Sequence, residues 1–164
     1  MNNKKSRKNS NDNTIALNRK ARHNYNLEQS FEAGIVLEGW EVKSIRLGKV
    51  NIADSHVILK GSDAWLLNIL ITPLHSTSTH VFANATRTRK LLLHRKELDQ
   101  LRGCVERSGY TLIPTVMYWK KNLVKLSISL AKGKKFYDKR ASSKDQDWQR
   151  ERQRIFKKSF IPKS

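Results

Sequence analysis

Sulfur is nearly absent from this chain: Cys104 is the one cysteine among 164 residues. A single thiol forms no internal disulfide and supplies neither a CxxC motif nor a zinc pair, and Cys104 reads as a half-buried helix cysteine rather than a nucleophile. Long apolar runs are also missing. None approaches the roughly eighteen residues needed to span a bilayer, and there is no lipidation motif, so no membrane partner is expected. Acidic residues are few, 14 Asp and Glu against 33 Lys and Arg. They form no paired motif of the kind a nuclease uses to hold Mg²⁺, and neither GxSxG nor GxxxxGK[ST] occurs. His75 and His80 stand five apart with no cysteine or HExxH pattern nearby, and read as solvated loop residues. The chain is therefore expected not to be an enzyme and to carry no cofactor or metal.

What is abundant is positive charge. A formal net charge of +19 and a pI near 10.4 point to a polyanionic partner, with nucleic acid first. At 38% hydrophobic residues the interior is modest, and the deficit falls on the two ends, so one domain with flexible ends is expected. The N-terminus is polar and basic with no apolar segment behind it, unlike a secretory signal, and a cytoplasmic protein is expected. Lys132 to Ser164 holds twelve Lys or Arg against four Asp or Glu. Self-repulsion there predicts disorder in the free chain. Phe136, Tyr137, Trp148 and Phe156 nevertheless lie among these cations, which suits stacking on bases beside phosphate pairing.

The division expected is a disordered basic arm over residues 1–17, an ordered domain over 18–131 and a basic tail over 132–164. Phe31 to Leu37 reads as a strand, punctuated by Gly34 and Gly39. Trp40 to Arg46 fits a strand by the alternation of Trp40, Val42 and Ser44, and a short helix by Val42 and Ile45. His56 to Lys60 and Ala64 to Ile71 form a hairpin about Gly61-Ser62-Asp63, and Thr72 to Thr86 an exposed loop. Lys90 to Ser108 carries Leu91, Leu92, Leu98, Leu101 and Val105 at helical spacings, with Gly109 as a C-cap and a start near His94. Tyr110 to Trp119 and Leu123 to Ala131 form a second hairpin about Lys120-Lys121-Asn122, with Val124, Leu126, Ile128 and Leu130 on one face. Short strands with one or two helices suggest a mainly β fold: a small closed antiparallel barrel of the oligonucleotide-binding type, with flanking helices.

Candidate RNA contacts follow from charge and aromatic placement. The run Arg19-Lys20-Ala21-Arg22-His23-Asn24-Tyr25 offers Arg19, Lys20, His23 and Tyr25. Thr86-Arg87-Thr88-Arg89-Lys90-Leu91-Leu92-Leu93-His94 joins Arg89 and Lys90 to an apolar run next to His94. Three successive leucines cannot all face inward on one helix, so at least one is exposed to a partner. Glu32 and Glu41 stand as acids between apolar neighbours. Two readings stay open for them: a polar strand face paired with Lys43 or Arg46, or carboxylates that accept hydrogen bonds from bases or organise a neighbouring Arg.

Asn18-Arg19-Lys20-Ala21, Phe31-Glu32-Ala33-Gly34-Ile35-Val36-Leu37, Trp40-Glu41-Val42-Lys43-Ser44-Ile45-Arg46, Thr86 to Leu93, and Ala131-Lys132-Gly133-Lys134-Lys135 with Asp138-Lys139-Arg140 together resemble the SsrA-binding protein (small protein B) family, from about Ile15 to Lys158. The resemblance implies a bacterial, non-enzymatic partner of transfer-messenger RNA in trans-translation, with the barrel on the tRNA-like domain of that RNA. It implies delivery to stalled ribosomes with elongation factor Tu and GTP through the RNA, and a tail entering the decoding centre, formed by small-subunit rRNA, and the empty mRNA channel. The protein is expected to be a monomer. The family's RNA-contacting positions fall on Asn18, Glu32 and Leu92, with Lys125 in support, and Lys43 and Arg46 join the candidate set. His94 stands where some members place Asn. The tail element matches at Gly133, Lys134, Lys135, Asp138, Lys139 and Arg140, and Tyr137 stands where members often carry His. Trp148, Ile155 and Phe156 fall on one face of a helix expected to order on the ribosome. The alternatives are a basic ribosomal or ribosome-assembly protein and an RNA-processing enzyme.

Overall fold

The structure, a computed structural model, describes residues 13–74, 83–135, 144 and 147–155. The ordered body is mainly β: β1 (Thr14–Leu17), β2 (Tyr25–Ile35), β3 (Val50–Asn51), β4 (His56–Lys60), β5 (Asp63–Leu67), β6 (Leu70–Ile71), β7 (Arg89–Leu92), β8 (Thr111–Lys120) and β9 (Leu123–Gly133). Three helices lie between them, α1 (Arg19–Asn24), α2 (Gly39–Arg46) and α3 (Arg95–Ser108). Seven antiparallel strands form one sheet in the order β1-β8-β4-β5-β7-β2-β9. A further pairing of β8 with β9 closes a ring of six, and β3 and β6 form a separate pair. The ring is strongest along β2, β9 and β8, whose long registers carry most of the pairing, and weakest where β4 meets β8 through the single pair Val57↔Leu112.

Alternation explains why the interior closes. Phe31 and Ala33 of β2, Leu112 and Met117 of β8, and Val124, Leu126, Ile128 and Leu130 of β9 are buried together in one core. At about 25 cal/mol per Å² of apolar surface, removing these side chains from water is the main term stabilising the ring. The β8–β9 turn is set by Lys121 and Asn122, both at positive φ (49° and 62°), which matches the twist of a two-residue hairpin loop.

Several expectations are corrected. Order begins before Asn18, because β1 pairs with β8 inside the segment read as a basic arm; residues 1–12 of that arm lie outside the described residues. The ambiguous Trp40–Arg46 stretch is helical, since Trp40, Glu41, Ser44 and Ile45 bury one helical face. The second arm of the first hairpin divides at Asn68 (φ 57°), and β6 turns away to pair with β3. The leucine run belongs to a strand rather than to a helix entrance. Leu91 is buried and Leu92 exposed by strand alternation, and α3 starts at Arg95 after an N-cap at His94, ending at Gly109 in the left-handed region (φ 64°). The tail also begins later than Lys132, because Lys132 and Gly133 pair with Asn26 and Tyr25 at the end of β9. Within the tail, residues 147–155 are helical, with ion pairs Asp147–Arg150 (3.4 Å) and Glu151–Arg154 (3.8 Å) one helical turn apart. Trp148 and Ile155 are exposed on it. The expectations for His75, His80, Phe136, Tyr137, Asp138, Lys139, Arg140 and Phe156 fall outside the described residues.

Candidate nucleic-acid interface

The largest concentration of sequence-derived candidates lies in one open cleft of about 620 Å³, lined among others by Glu32, Leu92, His94 and Lys125. Strand geometry brings them together. Gly34 pairs with Leu92 across β2–β7 and with Lys125 across β2–β9, so Glu32, two residues along β2, shares their outward face. Gly34 keeps this approach relaxed, because a Cβ there would lie 3.2 Å from Leu92 Cβ, tighter than an ordinary contact. Leu92 is 54% and Leu123 61% exposed, an apolar surface of the kind on which the face of a base packs. Trp119, Leu37 and Val42 extend the lining.

Glu32 is covered by cations and a phenol. Lys120 Nζ donates to both carboxylate oxygens (2.9 and 2.8 Å) and Tyr118 Oη donates at 2.5 Å; Lys125 Nζ is 3.7 Å away. The hydrogen bonds from Lys120 and Tyr118 pull the Glu32 carboxyl down from 4.5 to about 2. Partial burial, with the acceptor carboxylate beside it, pushes Tyr118 up to about 12. Tyr118, Lys120 and Leu123 were not singled out in the sequence. The signal that could have found them is the register of the second hairpin, which sets Tyr118 opposite Lys125 and Lys120 opposite Leu123.

Behind the cleft stands a buried ionic clamp. Glu41 on α2 is fully buried, as is Arg89 on β7. Arg89 Nε donates to Glu41 Oε1 at 2.7 Å, and its remaining donors go to the carbonyls of Ile69, Ala85 and Arg87. Arg87 adds a second fork, Nε to Oε1 at 3.0 Å and Nη2 to Oε2 at 2.5 Å. The Glu38 N–H donates to Glu41 Oε2 at 2.7 Å. Burial pushes the Glu41 carboxyl up, but Arg87, the Glu38 amide and Arg89 outweigh it and hold the group below its ordinary value of 4.5. Of the two readings of Glu41, organising arginine is the one observed, and neither acid pairs with Lys43 or Arg46, which lie exposed on α2.

Two candidates are buried. Arg89 cannot present its guanidinium to RNA, because every part of it is enclosed and spent on Glu41 and main-chain carbonyls. Asn18 is 2% exposed; its Oδ1 caps α1 by accepting from the Ala21 N–H (3.0 Å), and its Nδ2 donates to the carbonyls of Ile52 and Pro114. These bonds position α1 against β8. Arg19, Lys20 and His23 are exposed on α1, away from the cleft lining, with Lys20 held by Asp54 at 2.8 Å. Tyr25 is half-buried at the start of β2, and Lys134 joins that region through Nζ to the Arg22 carbonyl (3.0 Å). Gly133 and Lys135 are exposed there. Lys90 pairs with Asp63 at 2.8 Å on the outer sheet surface, and His94 lines the cleft while its N–H is capped by Glu97 (2.9 Å). Among the described residues no His, Cys, Asp and Glu cluster could hold a metal, and no helix is long and apolar enough to cross a membrane.

Comparison with known proteins gives two findings. The family model described as SmpB protein matches residues 15–158. A solved structure described as "tmRNA-SmpB: a journey to the center of the bacterial ribosome" is similar at 41% sequence identity and a TM-score of 0.61, over 74% of this chain and 85% of that one.

Proposed function

Because this chain belongs to the SmpB protein family, we propose that it binds transfer-messenger RNA and brings it to stalled ribosomes for trans-translation. The single observation that carries the site assignment is convergence. Glu32, Leu92, His94 and Lys125 are far apart in sequence, yet they line one cleft with an apolar floor and a cationic rim. Exposed leucines beside lysines suit unstacked bases flanked by backbone phosphates. The ring of strands is an oligonucleotide-binding barrel in this reading, with its cleft on the tRNA-like domain. Elongation factor Tu with GTP joins through the RNA, and the protein acts as a monomer in the cytoplasm. The tail, from Gly133 through Lys134, Lys135, Tyr137, Asp138, Lys139 and Arg140 to the helix carrying Trp148 and Ile155, probes the decoding centre and the empty mRNA channel.

The test separates the two parts. Glu32→Ala or Leu92→Ala is expected to weaken binding to the tRNA-like domain in a gel-shift titration. The triple change Asp138→Ala, Lys139→Ala, Arg140→Ala is expected to leave that binding nearly intact and abolish peptide tagging on stalled ribosomes. Equal loss of RNA affinity in both sets would overturn the division.

A further inference from the structure

We infer that Glu32 does not read a base but positions Lys120 and Lys125, and that these two ammonium groups are the ones that hold an RNA phosphodiester in the cleft. The inference rests on the proposed RNA-binding role of the cleft and names the chemistry of that site.

The geometry argues it in steps. A carboxylate recognises a base edge best when both oxygens face two parallel donors, as they do for a guanidinium. That side of Glu32 is already closed: Lys120 Nζ spans both oxygens at 2.9 and 2.8 Å, and Tyr118 Oη takes a further lone pair on Oε2. About four lone-pair sites belong to a carboxylate, and three are in use. A bare anion would also repel an approaching phosphate, whereas this one is flanked by two cations, Lys120 and Lys125. Each lysine retains N–H donors beyond the one aimed at Glu32, because an ammonium group carries three. Both side chains reach the surface, 53% exposed at Lys120 and 27% at Lys125. Two flexible lysines on neighbouring strands would otherwise repel each other and spread into solvent. A shared carboxylate counters this: Lys125 lines the cleft with Glu32, Leu123 and Leu92, where a base face packs, and Lys120 is held at its edge by its contacts to Glu32. Tyr118, directly opposite Lys125 in the β8–β9 register, fixes the carboxylate from the other side.

The experiment is a double-mutant cycle on the full chain, read as affinity for a folded tRNA-like-domain transcript over a range of salt concentrations. Lys120→Met and Lys125→Met are each expected to flatten the slope of log affinity against log salt by about 0.7 to 0.9, the signature of one lost phosphate contact. Lys120→Arg keeps the charge and retains most of the slope. Glu32→Gln is expected to lower affinity roughly tenfold in the wild-type background, but by no more than about twofold when both lysines are already Met, since its effect passes through them. Tyrosinate absorbance is expected to show Tyr118 titrating lower in Glu32→Gln than in wild type, because the acceptor carboxylate is gone while burial remains. If Glu32→Gln costs the same factor in both backgrounds, Glu32 touches RNA itself and the inference is overturned. An unchanged salt slope in Lys120→Met overturns it as well. Failure of the wild-type protein to bind the transcript at all would instead count against the proposed function.

Discussion

Glu32 and Glu41 are alike in sequence, each an acid between apolar neighbours, and the fold gives them opposite surroundings. Glu41 is enclosed with Arg89 and Arg87, so removing its charge leaves a buried guanidinium uncompensated. Glu41→Gln is expected to destabilise the domain by about 3–5 kcal/mol in chemical denaturation. Glu32 sits at the surface and shows itself in pH dependence. Its folded value of about 2 lies below the ordinary 4.5, so its contribution to stability is full above 4.5 and is lost as pH falls from there through about 2. Tyr118 runs the other way: its folded value of about 12 exceeds the ordinary 10.0, so its contribution is full below 10.0 and is lost as pH rises through about 12. Melting temperatures followed across pH are expected to show a smaller acid limb in Glu32→Gln and a smaller alkaline limb in Tyr118→Phe, with Glu41 and Tyr110 supplying what remains. That an acid organises arginine was legible as one of two readings. Which acid does so was not, because burial depends on which face of α2 turns inward.

At the scale of elements, the close pairing of β2 with β7 sets the floor of the cleft. Gly34→Ala places a Cβ 3.2 Å from Leu92 Cβ. Leu92 is half exposed and can give way, so the melting temperature is expected to change little while RNA affinity falls. Comparing thermal melts with gel-shift titrations of one preparation checks both halves. Asn18→Ala is the converse case. It removes the α1 cap and leaves the Ile52 and Pro114 carbonyls without their donor, with an expected cost of about 2–3 kcal/mol in denaturant unfolding. The second hairpin and the body of α3 were readable from alternation, helical spacing and Gly109, which are local signals. The leucine run was misplaced onto a helix because Leu91 and Leu92 fit either period over so short a stretch, and only pairing with β2 and β5 selects the strand.

For the whole molecule, a formal charge of +19 means that association with RNA is driven by counterion release. Binding of the full chain to transfer-messenger RNA is expected to weaken linearly in log–log terms as salt rises, about 0.7 per phosphate engaged on single-stranded RNA. Filter-binding titrations at several salt concentrations measure that slope. The basic groups do not all serve one surface. The cleft holds Glu32 and Lys125, with Lys120 joined to it through Glu32, whereas Arg19, Lys20 and His23 on α1 and Lys134 just past the end of β9 lie near the other end of the β2–β9 pairing. One face for the RNA in the cleft and another for the tail's partner is the arrangement this separation supports.

Composition and local pattern by themselves determined that the partner is a polyanion and that the body is mainly β with one long helix. These follow from charge, periodicity and short motifs, all carried by neighbouring residues. Tertiary structure decided what depends on distant strands meeting. It buried Arg89 and Asn18, which a basic run and a matching motif had offered to RNA. It also brought Tyr118 and Lys120 to Glu32 across 86 and 88 positions of chain. Sequence spacing cannot encode such a meeting, because ring closure sets it through the register of three strands acting together.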